Sequence, residues 1–293
     1  MAKRPAHRAF AAITVAALAF PAAAQGTITI GSNLGRTPNI PHLCGSAQCT
    51  LVQRTLPAAA TAPGGLVSPV NGTVVAWRVR AGGSTGPVSL RVVRQFGDNL
   101  FSGVGTSAPV TPPVNTISAF PAQLPIAVWQ TIGIDCCSSS ATFEVTGTGN
   151  SNYVWAPALA DGDAGRAPGN DLSYEVAVAA EIEPTSSFSS KVQAMHGGKV
   201  KVTVNVRNPG TLTAGDKNAR LAAIAGTGTK PKYLKRASAQ LTMGGTAGLV
   251  VRPTKAARQA LAGGGRLKTK LKLVFTPSGG APSTQVRKVK LKP

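Results

Sequence analysis

Residues 266–275 read RLKTKLKLVF. Leu267, Thr269, Leu271, Leu273 and Phe275 fall on one side of a period of two, and Arg266, Lys268, Lys270 and Lys272 fall on the other. Successive side chains of a strand point to opposite faces, so this segment is a strand with one apolar and one cationic face. A helix would scatter both sets around its circumference. The segment 199–207, KVKVTVNVR, repeats the pattern: Val200, Val202, Val204 and Val206 face in, while Lys199, Lys201, Thr203, Asn205 and Arg207 face out. Clean alternation of this kind belongs to antiparallel sheets with one wet face.

Working outward, further strands are expected at 235–242, 248–252 and 284–292. A single helical stretch, PTKAARQALAGGG, lies between them: Pro253 and Thr254 start it, Ala257 and Leu261 stand four apart, and Gly263–Gly265 end it. An immunoglobulin-like sandwich of about 100 residues fits this span. The first half carries strand patterns at 74–80 (VVAWRVR, after the turn signal Asn71-Gly72), 89–96, 126–135, 141–147 and 172–183. The expected class is all-β, with two antiparallel β-sandwich domains. The N-terminal one is jelly-roll-like, and the C-terminal one is Ig-like with one short helix.

Charge divides the chain at the same place. Residues 25–184 hold seven Arg, no Lys and nine acids, a net of 7 − 9 = −2, whereas residues 185–293 hold 21 Lys or Arg and one acid, Asp216, a net of 21 − 1 = +20. Lys3, Arg4 and Arg8, then an apolar run from Ala9 to Phe20, then Ala22-Ala23-Ala24 before Gln25, read as a secretory signal peptide. The apolar run is shorter than the roughly 20 residues a spanning helix needs. The expected organisation is a signal peptide at 1–24, a first sandwich at 25–184, a linker at 185–197 and a basic sandwich at 198–293. The product would be secreted, free or held at the cell surface, with no transmembrane segment.

The first half resembles a family of secreted β-sandwich proteins of soil actinobacteria to which no agreed activity is attached. The stretches that carry the resemblance are TITIGSN, CGSAQCTLVQ, SPVNGTVVAWRVRA, VSLRVVRQFG, LPIAVWQTIGID and YEVAVAAEIEP. The second half is similar to the Lys-rich Ig-like domains that end many secreted proteins of the same bacteria, through GKVKVTVNV, PTKAARQALAGGGRLKTKLKLVFTPSGG and the closing VRKVKLKP. In relatives the first domain often runs on into Asp-rich calcium-binding repeats; here TSSFSSKVQAMHGG holds no carboxylate. The resemblance implies a fold and an extracellular setting, and imports no reaction.

Four cysteines, Cys44, Cys49, Cys136 and Cys137, on an export route imply disulfides. Three pairings are open. A bond between neighbours forces unusual geometry, which favours cross-links between the two pairs. The resemblance implies the local bridge Cys44–Cys49 instead, because the CGSAQC loop recurs in relatives without the later pair. The spacing is poor for structural zinc, and no metal is assigned.

Catalytic signatures are absent. His42 and His196 are the only histidines after the signal peptide and lie far apart, and neither G-x-S-x-G nor H-E-x-x-H occurs. Glu144, Glu175, Glu181 and Glu183 are available carboxylates whose spacing does not pair them across a cleft. The chain is therefore expected not to be an enzyme, an extracellular hydrolase standing behind the binding readings. Asp161, Asp163 and Asp171, in DGDAGRAPGND, offer oxygen ligands without EF-hand spacing, so no cofactor is expected and calcium is the alternative. Tyr153 and Trp155, just before that loop, are the candidate sugar-stacking pair, beside Trp77, Trp129 and Tyr174.

The cations are the remaining signal. Lys199, Lys201, Arg266, Lys268, Lys270 and Lys272 form a candidate polyanion-binding set. Without interleaved aromatics and after export, nucleic acid is not the expected partner. An anionic cell-wall polymer or polysaccharide is. Lysines that guard sheet edges against aggregation are the competing explanation. The choice depends on whether these cations gather in one place.

Overall fold

The computed structural model describes residues 26–41, 44, 48–97, 99–136, 141–217 and 232–293. The expected signal peptide, His42 and Cys137 lie outside the described residues. The first thirteen strands are β1 (Ile28–Gly31), β2 (Ile40–Pro41), β3 (Cys49–Thr55), β4 (Gly72–Arg80), β5 (Val88–Phe96), β6 (Leu100–Thr106), β7 (Ile117–Ile126), β8 (Thr131–Cys136), β9 (Thr142–Thr146), β10 (Ser151–Trp155), β11 (Asn170–Leu172), β12 (Tyr174–Val176) and β13 (Val178–Pro184). They build a four-stranded sheet, β1-β13-β4-β7, and a six-stranded sheet, β11-β10-β3-β8-β5-β6, with a small sheet β12-β9-β2 beside them. All named pairings are antiparallel.

The first core lies between the two large sheets. Ile30, Trp77, Val79 and Ile182 from one meet Leu51, Leu90, Val92 and Ile134 from the other, all essentially without solvent contact. A second, smaller core covers the outer face of the six-stranded sheet, where Val52, Val93, Phe101, Trp155 and Leu159 pack together. β8 is therefore buried on both faces throughout, and β5 over its first six residues. Gly31 closes β1 at φ 102°, where a Cβ would stand 2.4 Å from the carbonyl oxygen of Val178, so only glycine fits.

The second sandwich comprises β14 (Phe188–Ala194), β15 (Val200–Val206), β16 (Gly210–Asp216), β17 (Ala237–Leu241), β18 (Gly245–Val251), the helix α1 (Lys255–Ala262), β19 (Leu267–Pro277) and β20 (Ser283–Leu291). A three-stranded sheet, β14-β15-β18, faces a four-stranded one, β17-β16-β19-β20. Its first, second and fifth strands thus oppose its fourth, third, sixth and seventh, an Ig-like arrangement. Val200, Val202, Val204 and Val206 meet Leu212, Leu271, Leu273 and Phe275 across the interior, as the alternation requires. Thr254 caps α1, its hydroxyl accepting from the Ala257 N–H at 3.2 Å, and Ala257 and Leu261 are the helix's buried residues.

Three expectations change in detail. The linker is shorter than 185–197, because Phe188–Ala194 pairs along its length with β15 and belongs to the second sandwich. The stretch 126–135 is not one strand: β7 ends at Ile126, and a turn through Trp129 leads to β8. The segment 172–183 is likewise divided among β11, β12 and β13.

Candidate polyanion-binding face

The register of β19 and β20 sets cation against cation. Lys268 stands directly opposite Lys290, and Lys270 opposite Lys288. Like charges on opposed strand positions destabilise a pair. The four side chains are exposed on the outer face of the sheet. Arg266 and Lys292 lie one position beyond the paired residues, at the same end of the hairpin. Lys272 faces the same way but sits opposite Val286.

Among the described residues, no acid is paired with these cations. Asp216, the one acid in residues 185–293, is buried and accepts from the Tyr233 N–H at 3.0 Å and the Thr269 hydroxyl at 3.1 Å. Among the described residues, no cation of the second sandwich makes an ion pair. The first sandwich is the opposite case. Arg36 pairs with Glu175, Arg54 with Asp171, Arg78 with Glu181, and Arg91 with both Asp135 and Asp161.

Lys199 and Lys201 do not join the Lys268–Lys272 face. Their neighbours Val200 and Val202 point into the core from the three-stranded sheet, so the two lysines stand on the opposite outer surface. Both groups nevertheless share one end of the domain. β15 starts there and runs towards Asn208, which is hydrogen-bonded to the first sandwich. β19 also starts there and ends near the first sandwich, where the turn after it brings Gly279 against Ile28. From Lys268 to Phe275 the strand covers roughly 23 Å, at about 3.3 Å per residue. α1 adds Lys255 and Arg258 at the same far end, so the cations form a pole of the molecule rather than one flat patch.

The other candidates are dispersed. Trp155 is buried, its indole N–H donates to the Arg166 carbonyl at 3.1 Å, and its ring packs on Phe101 at 5.0 Å. It presents no ring face to solvent, because the covering segment 156–166 encloses it in the second small core. Tyr153 is half-buried beneath the Arg54 guanidinium, 5.1 Å from the ring centre. Asp171 sits on β11 opposite Tyr153 and binds Arg54, whereas Asp161 binds Arg91 and accepts from the Thr106 hydroxyl. Two of the three carboxylates of the alternative calcium reading are thus engaged by different arginines, and of the three, Asp161 and Asp163 share a loop while Asp171 lies on β11. The exposed aromatic that spacing did not single out is Trp129, 77% exposed at the turn between β7 and β8. Its φ of 70° is a second unusual feature.

Cys44 and Cys49 form a disulfide with their Cα atoms 5.6 Å apart. The Cys136 sulfur lies 3.5 Å from that of Cys44 and 3.7 Å from that of Cys49, where β3 and β8 set Cys49 opposite Cys136. With two of the three sulfurs in a disulfide, the cluster does not offer the thiolate set of structural zinc. No described helix is long and apolar enough to cross a membrane. Neither a protein-family model nor a curated protein sequence matches the chain.

Proposed function

We propose that the protein is an exported, non-catalytic attachment module. Its basic pole holds the chain to an anionic cell-wall polymer or acidic polysaccharide, and its first sandwich is carried on the opposite side. The observation behind this reading is the uncompensated lysine pairing of β19 with β20 at the end remote from the first sandwich. Edge protection alone does not explain it. Lysines that guard an edge need no like-charged partner on the next strand, and β19 is an interior strand of its sheet. The Cys44–Cys49 disulfide accords with an oxidising compartment.

The test is co-sedimentation of the intact protein with purified bacterial cell walls, and with polygalacturonate beads as a defined probe. Binding should weaken steeply from about 0.05 to about 0.5 M salt, as contacts between exposed charges are screened. Binding that is equally strong at both ends of that range, or absent at the low end, rejects the reading.

A second reading, sugar recognition by the first sandwich, draws on Trp129. An indole held in the open at a turn can stack on a sugar ring. A glycan array probed with the wild type and with Trp129→Ala decides it: signals shared equally by both proteins remove Trp129 from sugar binding.

A further inference from the structure

Val192 and Ala194 occupy inward positions of β14. Val192 is paired with Val202 and Ala194 with Val200, and both partners are fully buried. Val192 and Ala194 themselves are only half-buried. The reason is a cleft of about 780 Å³ between the two edge strands β14 and β20, lined by Val192, Ala194, Thr269, Val289 and five lysines.

On this side, hydrogen bonds join the two sheets at the cleft's ends. At the end nearer the first sandwich, the Gln285 amide donates to the Phe188 carbonyl at 2.5 Å and accepts from the Ser190 hydroxyl at 2.6 Å. Arg287 donates to the same hydroxyl at 3.0 Å. At the far end the Gly198 N–H donates to the Lys292 carbonyl at 2.9 Å. Between these points the interior is open, with an apolar floor and a cationic rim that includes Lys268, Lys288 and Lys290.

We infer that this cleft is a binding site for a soluble single-chain anionic amphiphile. A hydrocarbon chain lies along Val192, Ala194 and Val289, and a phosphate or carboxylate head is held by the lysines. A plain polyanion would use the rim and leave the floor wet. The floor is recessed between two sheets, so a chain enters singly rather than as part of a bilayer surface. The size lies within the usual range of small-ligand sites, about 300–1,000 Å³. The inference rests on the reading that this lysine face takes anions, and adds a ligand class to it.

The experiment is calorimetric titration of the intact protein with inorganic phosphate, butyl phosphate and octyl phosphate, each below its micelle concentration. A half-open groove recovers about half of the burial effect of a methylene, which is about twofold in affinity per methylene. Octyl phosphate should therefore bind at least tenfold tighter than butyl phosphate. Two variants should abolish that ratio: Val192→Gln, which makes the floor polar, and Ala194→Phe, which fills it. Both should keep salt-sensitive binding to polygalacturonate. Equal affinity for the two alkyl phosphates, a ratio unchanged in both variants, or binding to anionic vesicles without binding to monomeric octyl phosphate overturns the inference. If polygalacturonate binding keeps its salt dependence in those cases, attachment stands and only the amphiphile site falls. If polygalacturonate binding fails as well, the underlying reading falls with it.

Discussion

Arg91 holds two carboxylates in different environments, which makes it a direct measure of what burial does to an ion pair. Its Nε donates to Asp135 at 2.7 Å, and both residues are buried, whereas the Asp161 side chain is 45% exposed. Asp135 also accepts from the Thr50 hydroxyl at 2.7 Å, and that hydroxyl accepts from the Leu159 N–H at 2.9 Å. The pair therefore also ties the covering segment to the six-stranded sheet. Removing one partner of a buried pair leaves the other charge without compensation. Asp135→Asn should lower stability by about 3 kcal/mol, and Asp161→Asn by less than about 1 kcal/mol. Urea unfolding monitored by tryptophan fluorescence checks both, and equal losses would contradict the assignment of Asp135 as the buried anchor. Trp129 poses a different residue-scale question. Its φ of 70° is strained for a residue with a Cβ. Glycine relieves that strain while loosening the unfolded chain by a similar amount. Trp129→Gly should thus stay within about 1 kcal/mol of the wild type in the same assay. A larger loss would show that the exposed indole stabilises the fold.

At the level of elements, alternation made the second sandwich legible and hid much of the first. β15 and β19 each bury one face, so their inward valines and leucines could be read directly from KVKVTVNVR and RLKTKLKLVF. β8 alternates in TIGIDC, with Ile132, Ile134 and Cys136 towards the first core, but its other face, carrying Thr131, Gly133 and Asp135, reads as wet and is buried all the same beneath the segment that carries Leu159. β14 and β16 do alternate, through Val192 and Ala194 and through Leu212 and Ala214, yet their small polar residues resemble a loop. The lysines of 266–272 were visible in the sequence. The residues opposite them were not, because strand register is a tertiary property. That register carries a prediction. Lys288→Glu places an acid opposite Lys270 and turns a repulsive pair into an attractive one. It should raise the stability of the second sandwich by about 0.5–1 kcal/mol at low salt, and weaken polygalacturonate binding at the same time. Thermal melts in low and high salt, paired with the sedimentation assay, test the trade. If both stability and binding fall, β20 depends on Lys288 for a reason other than charge.

The molecule as a whole is two cores joined at a narrow polar junction. Asn208 is fully buried there: its Oδ1 accepts from the Asn71 N–H at 2.8 Å, and its Nδ2 donates to the carbonyls of Asn71 at 2.8 Å and Thr185 at 2.9 Å. Asn71 returns a bond from its own Nδ2 to the Arg207 carbonyl at 2.9 Å. These junction bonds thus satisfy backbone groups with two amides, Asn208 just past β15 and Asn71 just before β4, while the lysine pole lies at the opposite end of β15. Charge separates the two cores as well. The second sandwich repels itself, because its 21 cations meet a single acid, a net of 21 − 1 = +20, whereas the first is near neutral and internally paired. Asn208→Ala leaves the Asn71 N–H and the Thr185 carbonyl without this partner, an effect of about 1–3 kcal/mol on coupling between the cores. Scanning calorimetry should then resolve two transitions further apart than in the wild type. The transition of the second sandwich should rise in temperature as salt is added, since screening relieves its self-repulsion, while that of the first stays nearly fixed. Polygalacturonate binding by Asn208→Ala should match the wild type, because the pole is remote from the substitution. If both transitions move together with salt, or if the substitution impairs binding, the two sandwiches act as one electrostatic and cooperative unit, and the separation of a structural junction from a binding pole is wrong.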